Sequence, residues 1–200
     1  SNGGLLFFDE IPHFSKSIIE AMREPLEDHT ILVSRVNSKI KYETKFLFAS
    51  AMNPCPCGNL LSNAKSCRCS DTEVQRYKNR LSDPFLDRID LYVTMNEISS
   101  THTSDVTSQQ LHNQVLKAFQ NQKLRGQEEL NGKLSDQDIV KYCTLTNDGQ
   151  DILDKATNNF TLSFRAINKV LKVARTIADL ESSKTIEASH ILESLSYRKR

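Results

Sequence analysis

Short apolar runs separated by polar segments characterise the first half of the chain. Leu5–Phe8 is a continuous apolar run, which predicts a short buried strand of a parallel sheet. Apolar positions recur on one helical face over Phe14–Asp28 and predict an amphipathic helix, which Pro25 should end or kink. Phe46–Ala51 is a second apolar run of strand length. The pattern therefore predicts two buried strands connected through a helix.

A β-hairpin is predicted between these strands. Residues 30–36 and 39–44 are rich in β-prone side chains and flank a polar turn at Asn37-Ser38. Further on, Ser70 and Glu73 form a capping-box pattern that predicts a helix from Asp71 to about Leu81. A third strand is predicted to end near Val93. The first half thus reads as α/β.

The second half of the chain has the pattern of a small all-helical domain. The apolar spacing predicts helices over Ser108–Gln122, Asp136–Tyr142, Asp148–Asn158, Ser163–Leu180 and Glu187–Leu195. A Ser/Thr-rich stretch precedes them and is typical of a linker. We therefore expect an α/β part over 1–98, a linker over 99–107 and a helical domain over 108–200.

Composition excludes some function classes. The chain has 200 residues, 38% apolar and 26% charged, and a formal net charge of +1, so only a local basic patch could indicate nucleic acid. No apolar run is long enough for a membrane span, and no signal peptide opens the sequence. These features predict a cytoplasmic protein with no membrane partner. The abrupt start before the first strand is typical of a piece of a longer protein.

Four of the five cysteines are clustered in a loop without periodicity: Cys55, Cys57, Cys67 and Cys69. Four thiolates in two pairs are suited to a tetrahedral structural Zn²⁺ site, which is our prediction. Reduced surface cysteines are the main alternative, and an iron–sulfur cluster is a further one. Cys143, by contrast, is expected in the core of the helical domain.

Polar residues directly follow both predicted strands. Asp9-Glu10 after Leu5–Phe8 fits a Walker B motif, in which Asp9 would hold the Mg²⁺ shell and Glu10 would polarise the attacking water. Asn53 follows the second strand and could position that water. The alternatives are a polar strand end for Asp9-Glu10 and an ordinary Asn-Pro turn for Asn53.

The order of these motifs resembles the magnesium chelatase-like AAA+ ATPases of the ComM/YifB type. The segments that carry the resemblance are Gly3–Glu10, Arg23–Leu26, Ala51–Pro54, Leu86–Asp90 and, from Arg165 onward, Val170–Asp179. It covers nearly the whole chain. The resemblance implies a partial AAA+ P-loop NTPase core with a presensor-1 hairpin, followed by a helical lid. It also implies a homohexameric, ATP-driven motor that remodels DNA, as in branch migration during natural transformation.

The resemblance also implies roles for individual residues. Asp9 and Glu10 would be the Walker B pair, Asn53 the sensor-1 residue, Arg88 the arginine finger and Arg165 the sensor-2 arginine. The cofactors would be ATP and Mg²⁺.

The alternative for Arg88 is an ion pair inside its own domain, with Asp87 or Asp90. Arg80 is a second candidate for the arginine finger.

The predicted hairpin carries basic residues at or near its tip. Arg35, Lys39 and Lys41 would make sequence-independent contacts with DNA phosphates if the hairpin projects into the pore of a ring, as the resemblance implies. The alternative is a solvated edge hairpin whose charges protect it from aggregation.

A P-loop is missing from the sequence. The nearest approach, Gly126 with Gly132-Lys133, has the wrong glycine spacing and Leu134 in place of Ser or Thr. We therefore expect this chain by itself to bind ATP poorly and not to hydrolyse it. Two other functions stay open: a magnesium chelatase motor subunit that inserts Mg²⁺ into protoporphyrin, and a zinc-stabilised binding module without catalysis.

Overall fold

A computed structural model describes residues 2–35, 38–95 and 105–198. The described residues form two compact units, one built mainly from residues up to Ile89 and the other from residue 105 onward together with Asp90–Val93. None of the helices described in these ranges has the length and apolarity that a bilayer span requires.

A parallel pair of strands organises the first unit. Strand β1 (Leu5–Phe8) pairs with β4 (Leu47–Ser50), in register from Leu5 opposite Leu47 to Phe8 opposite Ser50. The two predicted strands are thus confirmed and are neighbours. Their predicted burial is wrong: Leu5, Phe7 and Leu47 are each more than half exposed, because the described residues of this unit do not cover both faces of the two-stranded sheet. Beside them, a core cluster contains the buried residues Ile11, Ile19, Leu81 and Phe85.

The predicted helix over Phe14–Asp28 is divided in two. Helix α1 covers Lys16–Ala21 and α2 covers Arg23–Glu27. Pro25 lies inside α2, where it has no N–H to donate to the carbonyl of Ala21, four residues earlier. The break therefore falls one turn before the proline rather than at it.

The hairpin connects these helices to β4. Strand β2 (Thr30–Arg35) and strand β3 (Ser38–Glu43) are antiparallel, with Thr30 opposite Glu43 and Arg35 opposite Ser38. Of the predicted turn, Asn37 lies outside the described residues and Ser38 already belongs to β3.

Two helices follow the cysteine loop. Helix α3 covers Asp71–Lys78 and begins with the predicted capping box of Ser70 and Glu73, whereas α4 covers only Asp83–Leu86. The predicted third strand is wrong, because residues 91–95 are irregular. A strand requires a neighbouring strand for its hydrogen bonds. Here the backbone N–H of Tyr92 donates instead to the carbonyl of Tyr197.

The second unit is helical, as predicted. Its helices are α5 (Ser108–Leu124), α6 (Asp136–Tyr142), α7 (Asn147–Phe160), α8 (Phe164–Leu180) and α9 (Ala188–Ser196). The core of this unit forms around α8, where Val170 and Ala174 pack with Ile186, Ile191 and the predicted core residue Cys143. Burial raises the pKa of the Cys143 thiol to about 11.

Candidate functional site

The strand ends of the first unit bring Glu10 and Asn53 together. The β1–β4 pairing continues past both strands, because the N–H of Ala51 donates to the carbonyl of Phe8 and the N–H of Ile11 donates to the carbonyl of Ala51. The Nδ2 atom of Asn53 lies 3.5 Å from the Oε1 atom of Glu10. Residues distant in sequence thus meet at the carboxyl edge of a parallel sheet, where α/β proteins bind ligands.

Glu10 has an unusual backbone conformation for a residue with a side chain. Its φ and ψ are both 48°, in the left-handed region. The N–H of Glu10 donates to the Oδ1 atom of Asp9 over 3.0 Å. His13, which sequence reasoning left unassigned, places its Nε2 atom 3.8 Å from the other carboxylate oxygen of Glu10. Left-handed conformations of non-glycine residues cluster at functional sites.

The chemistry of Asp9 and Glu10 fits a hard cation. Both side chains are exposed carboxylates at the same strand end. Mg²⁺ prefers carboxylate oxygens and water to nitrogen or sulfur ligands. Asp9 and Glu10 could therefore hold Mg²⁺ at this edge.

Asn53 is supported from the side of the cysteine loop. Gly58 has a φ of +79°, and a Cβ placed there would lie 3.9 Å from the Oδ1 atom of Asn53. Cys55, two residues after Asn53, is fully buried, and so is most of Tyr77. Desolvation raises the pKa of the Tyr77 phenol. The loop and α3 thus form the wall against which Asn53 lies, a relationship without a sequence signal.

The clustered cysteines converge on a single point. The sulfur of Cys55 is 3.5 Å from that of Cys57 and 3.7 Å from that of Cys67, and the Cys57 and Cys67 sulfurs are 3.6 Å apart. With Cys69, all four sulfurs lie within 4.8 Å of one another. Sulfurs bound tetrahedrally to Zn²⁺ at 2.3 Å would be about 3.8 Å apart. The cluster therefore has the dimensions of a tetrahedral metal centre.

Local hydrogen bonding prepares one of these thiols. The backbone N–H groups of Arg68 and Asn59 donate to Cys57 and lower the pKa of its thiol to about 6. Desolvation, in contrast, raises the pKa of Cys69 to about 12. Metals bind the thiolate form, so these hydrogen bonds favour coordination through Cys57.

Arg88 is held within its own unit. Its Nη2 atom forms an ion pair with Glu27, its Nε atom donates to the carbonyl of Arg23 over 3.2 Å, and its Nη1 atom donates to the carbonyl of Pro84. The ion-pair partner of Arg88 is therefore Glu27 and not Asp87 or Asp90, the two partners considered from the sequence. Its role as an arginine finger stays a prediction. Arg80, the second candidate, donates to the carbonyl of Pro12 over 3.0 Å.

The three basic residues of the hairpin do not share one face. In the observed register, Lys39 is opposite Ser34 and Lys41 is opposite Leu32, so both lysines lie on one side of the hairpin. Arg35 lies on the other side, which also carries Ile40 and Tyr42. Both lysines and Arg35 are exposed. The hairpin thus offers a pair of cations on one face and a single cation on the other.

Arg165 lies in the first turn of α8, after the predicted cap Ser163, whose side chain accepts from the N–H of Ala166. The residue is exposed and belongs to the second unit. Its sensor-2 role stays a prediction.

A buried ionic network in the second unit escaped sequence reasoning. Asp179 is 1% exposed and accepts from Arg125 over 2.7 and 2.9 Å, from Arg175 over 3.0 Å and from Asn131 over 2.8 Å. The available signal was the position of Arg175 and Asp179, four residues apart on the apolar face of α8. Desolvation opposes ionisation of Asp179, but the hydrogen bonds from Arg125 and Asn131 outweigh it and lower its pKa.

A parallel strand pair with acidic and amide side chains at its carboxyl edge, followed in sequence by a helical unit, is consistent with a partial AAA+ core and its helical domain. Residues 1–103 match the sequence model "Magnesium chelatase, subunit ChlI", and residues 105–198 match the model of the C-terminal part of that subunit. The chain therefore belongs to the magnesium chelatase family.

Several curated proteins align with almost the whole chain. Competence protein ComM of Haemophilus influenzae is 38% identical over 99% of the chain, and the match covers 39% of that protein. Proteins named YifB from Salmonella typhimurium and Escherichia coli are 39% and 37% identical over 99% of the chain and are each 40% covered. The chain thus spans about two fifths of the length of these relatives.

Proposed function

We propose that this chain supplies the Walker B, sensor and lid elements of a longer AAA+ ATPase that acts as a homohexameric, ATP-driven DNA motor in the cytoplasm. The observation that carries the proposal is the approach of Glu10 and Asn53 at the carboxyl edge of β1 and β4. Two further facts support it: membership of the magnesium chelatase family, and a likeness to a protein named for competence.

Three residues divide the hydrolytic chemistry. Asp9 would hold Mg²⁺, which neutralises charge on the nucleotide phosphates when bound. The carboxylate of Glu10 would accept a hydrogen bond from the attacking water and draw its proton away from the oxygen. The amide of Asn53, beside that carboxylate, would fix the position of the same water. Glu10 and Asn53 both act from the ends of paired strands.

Two arginines would complete the site. Arg88 would reach the γ-phosphate in the neighbouring subunit, which requires its guanidinium to leave Glu27. Arg165 would contact the nucleotide from the lid. The P-loop that cradles the phosphates would come from outside this chain, since its sequence contains no such motif.

Lys39 and Lys41 are the main candidates for DNA contact by the hairpin. They lie on one face, two residues apart on β3, and can contact the same backbone segment. Arg35 would contact phosphate from the opposite face. The cysteine cluster would bind a structural Zn²⁺ that fixes the loop beside Asn53.

A magnesium chelatase motor subunit is the second candidate, favoured by the description of the matching family model. Both candidates require ATP hydrolysis but differ in the molecule that the ring acts on. Stimulation of hydrolysis by DNA, lost in Lys39→Ala plus Lys41→Ala, would support the DNA motor. Hydrolysis that is indifferent to DNA would contradict it.

The ATPase proposal is tested in a protein of the relatives' length that contains this chain. Glu10→Gln removes the carboxylate but keeps side-chain size, and it should lower the hydrolysis rate by about 10² or more while ATP binding persists. Glu24→Gln, an exposed residue in α2, is the matched control. Equal rates for the two variants would contradict the assigned role of Glu10.

A further inference from the structure

A pocket of about 640 Å³ lies in the first unit, between the segment from Pro12 to Lys16 and one side of α3. Gln75, Arg76 and Asn79 line it from α3. Asn79 is four residues after Gln75 and three after Arg76, and these spacings place the three side chains on the same side of the helix. The pocket is separate from the residues to which the proposed function assigns roles.

The charge of this pocket is uniformly positive. Lys16, Arg76 and Arg80 line it, and no acidic residue does. Within the ranges that the structure describes, these three cations form no ion pair. The acidic residues near them in sequence hydrogen bond to other groups: Glu20 accepts from Arg23 and Ser82, and Glu73 accepts from Ser70. Glu20 and Glu73 attract Lys16 and Arg76 from nearby, but neither carboxylate lines the cavity. Three cations around one cavity, none of them in an ion pair within the described residues, favour an anionic ligand.

An aromatic ring completes the pocket. Phe14 lines it and is 37% exposed. One face of this ring is supported by Phe8, whose centroid is 4.5 Å away at an interplanar angle of 15°. Proteins that bind single-stranded nucleic acids combine an exposed aromatic ring with nearby cations. Bases stack on the ring, and the phosphates lie near the cations.

We infer that this pocket binds a single-stranded nucleic acid, with backbone phosphates at Lys16, Arg76 and Arg80 and a base stacked on Phe14. The choice of a strand over a free nucleotide rests on the proposed DNA function. It also rests on the absence of a glycine-rich phosphate cradle from the pocket's lining. Gln75 and Asn79, which hydrogen bond to each other over 3.1 Å, add neutral polar groups to the wall.

The test uses this chain and a fluorescein-labelled oligo-dT of about 20 nucleotides, with affinity measured by fluorescence anisotropy at several salt concentrations. Arg76→Glu is compared with Lys78→Glu, an equal charge change on the same helix at a residue outside the pocket. We expect about tenfold weaker binding for Arg76→Glu and less than twofold for Lys78→Glu. Equal losses, or no binding by the unaltered chain, would overturn the inference.

Two more variants separate charge from stacking. Lys16→Ala plus Arg76→Ala should reduce the salt slope of binding by about 1.4, since each lost phosphate contact on a single strand accounts for about 0.7. Phe14→Leu keeps apolar volume against Phe8 and should weaken binding about fivefold with an unchanged slope. An unchanged slope in the double alanine variant would overturn the phosphate contacts.

Two further experiments distinguish binding in the pocket from binding at the hairpin and from a site for free nucleotide. If the proposed hairpin contact fails, Lys39→Ala plus Lys41→Ala will bind like the unaltered chain, while the pocket variants still lose affinity. Thymidine monophosphate is added as a competitor. If thymidine monophosphate displaces the labelled oligonucleotide at about the same nucleotide concentration as oligo-dT does, the pocket is a mononucleotide site and the inference is wrong.

Discussion

Asn53 and Glu10, separated by 43 positions in the sequence, approach to 3.5 Å between amide nitrogen and carboxylate oxygen. The parallel register of β1 and β4 sets this approach, because it ends both strands at the same edge. At this length the hydrogen bond is weak, so the pair can open to admit a water molecule.

Asn53 is expected to matter for hydrolysis more than for folding. In a protein of the relatives' length, Asn53→Ala should lower kcat by a factor on the order of 10², because the attacking water loses one of its positioning groups. KM for ATP should change little. Asn113→Ala, on an exposed position of α5, is the control. A normal kcat in Asn53→Ala would contradict the sensor role.

The cysteine cluster should carry metal. Elemental analysis of the purified chain is expected to find about one zinc per chain, and Cys57→Ser plus Cys69→Ser should abolish it, because two thiolates cannot complete a tetrahedral site. Cys143→Ala, which removes a thiol far from the cluster in sequence, should leave the zinc content unchanged. Chain prepared without chelators and found free of zinc would refute the assignment.

Arg88 has two possible roles, and an experiment that mixes variant subunits distinguishes them. If it is the arginine finger, Arg88→Ala in the longer ATPase should lower hydrolysis by a factor on the order of 10³ with ATP binding intact. Mixing Arg88→Ala subunits with Glu10→Gln subunits should restore some activity, since some sites then combine an intact Glu10 with an intact Arg88.

If Arg88 serves only its ion pair with Glu27, the mixture will show no rescue. Glu27→Gln is the companion variant. It removes the ion pair but keeps the guanidinium, and it should therefore retain hydrolysis if Arg88 is a finger.

The Asp179 network should make the second unit sensitive to acid. The pKa of Asp179 is lowered in the folded state, so its contribution to stability is complete above the unfolded value of about 3.9 and is lost as the pH falls through the folded value. Asp179→Asn should reduce the free energy of unfolding at pH 7 by about 3 kcal/mol, because Arg125 and Arg175 lose their counter-charge.

Urea denaturation between pH 7 and pH 2 measures both effects. The Asp179→Asn variant should depend less on pH in the acid range than the unaltered chain. Asp154→Asn, an exposed change on α7, should reproduce the unaltered curve. If the free energy of unfolding depends on pH in the same way for the unaltered chain and both variants, Asp179 is not the titrating group.

Thr161 is a site where glycine should stabilise the fold. It caps the C-terminus of α7 with a φ of 48°, a conformation that is costly for a β-branched residue. Thr161→Gly is expected to raise the free energy of unfolding by about 1 kcal/mol in urea denaturation. Thr161→Val keeps the steric penalty and should give no gain, so equal stability of the two variants would argue against strain at this position.

Local and short-range features could be predicted from the sequence alone. The apolar runs specified β1 and β4, and the capping patterns at Ser70 and Ser163 specified where helices begin, because caps and periodicity act within a few residues. The clustering of the four cysteines was visible as spacing. For the same reason, the polar residues after each strand could be recognised as candidates for one site.

Other features depend on contacts between residues far apart in the chain. Tertiary packing decided that Arg88 pairs with Glu27, that Lys39 and Lys41 share a face without Arg35, and that the segment before Val93 is not a strand. Ion-pair partners, strand register and the availability of a neighbouring strand are set by the folded chain as a whole. A local pattern offers candidates for such contacts, and only the tertiary structure selects among them because the competing partners have similar chemistry.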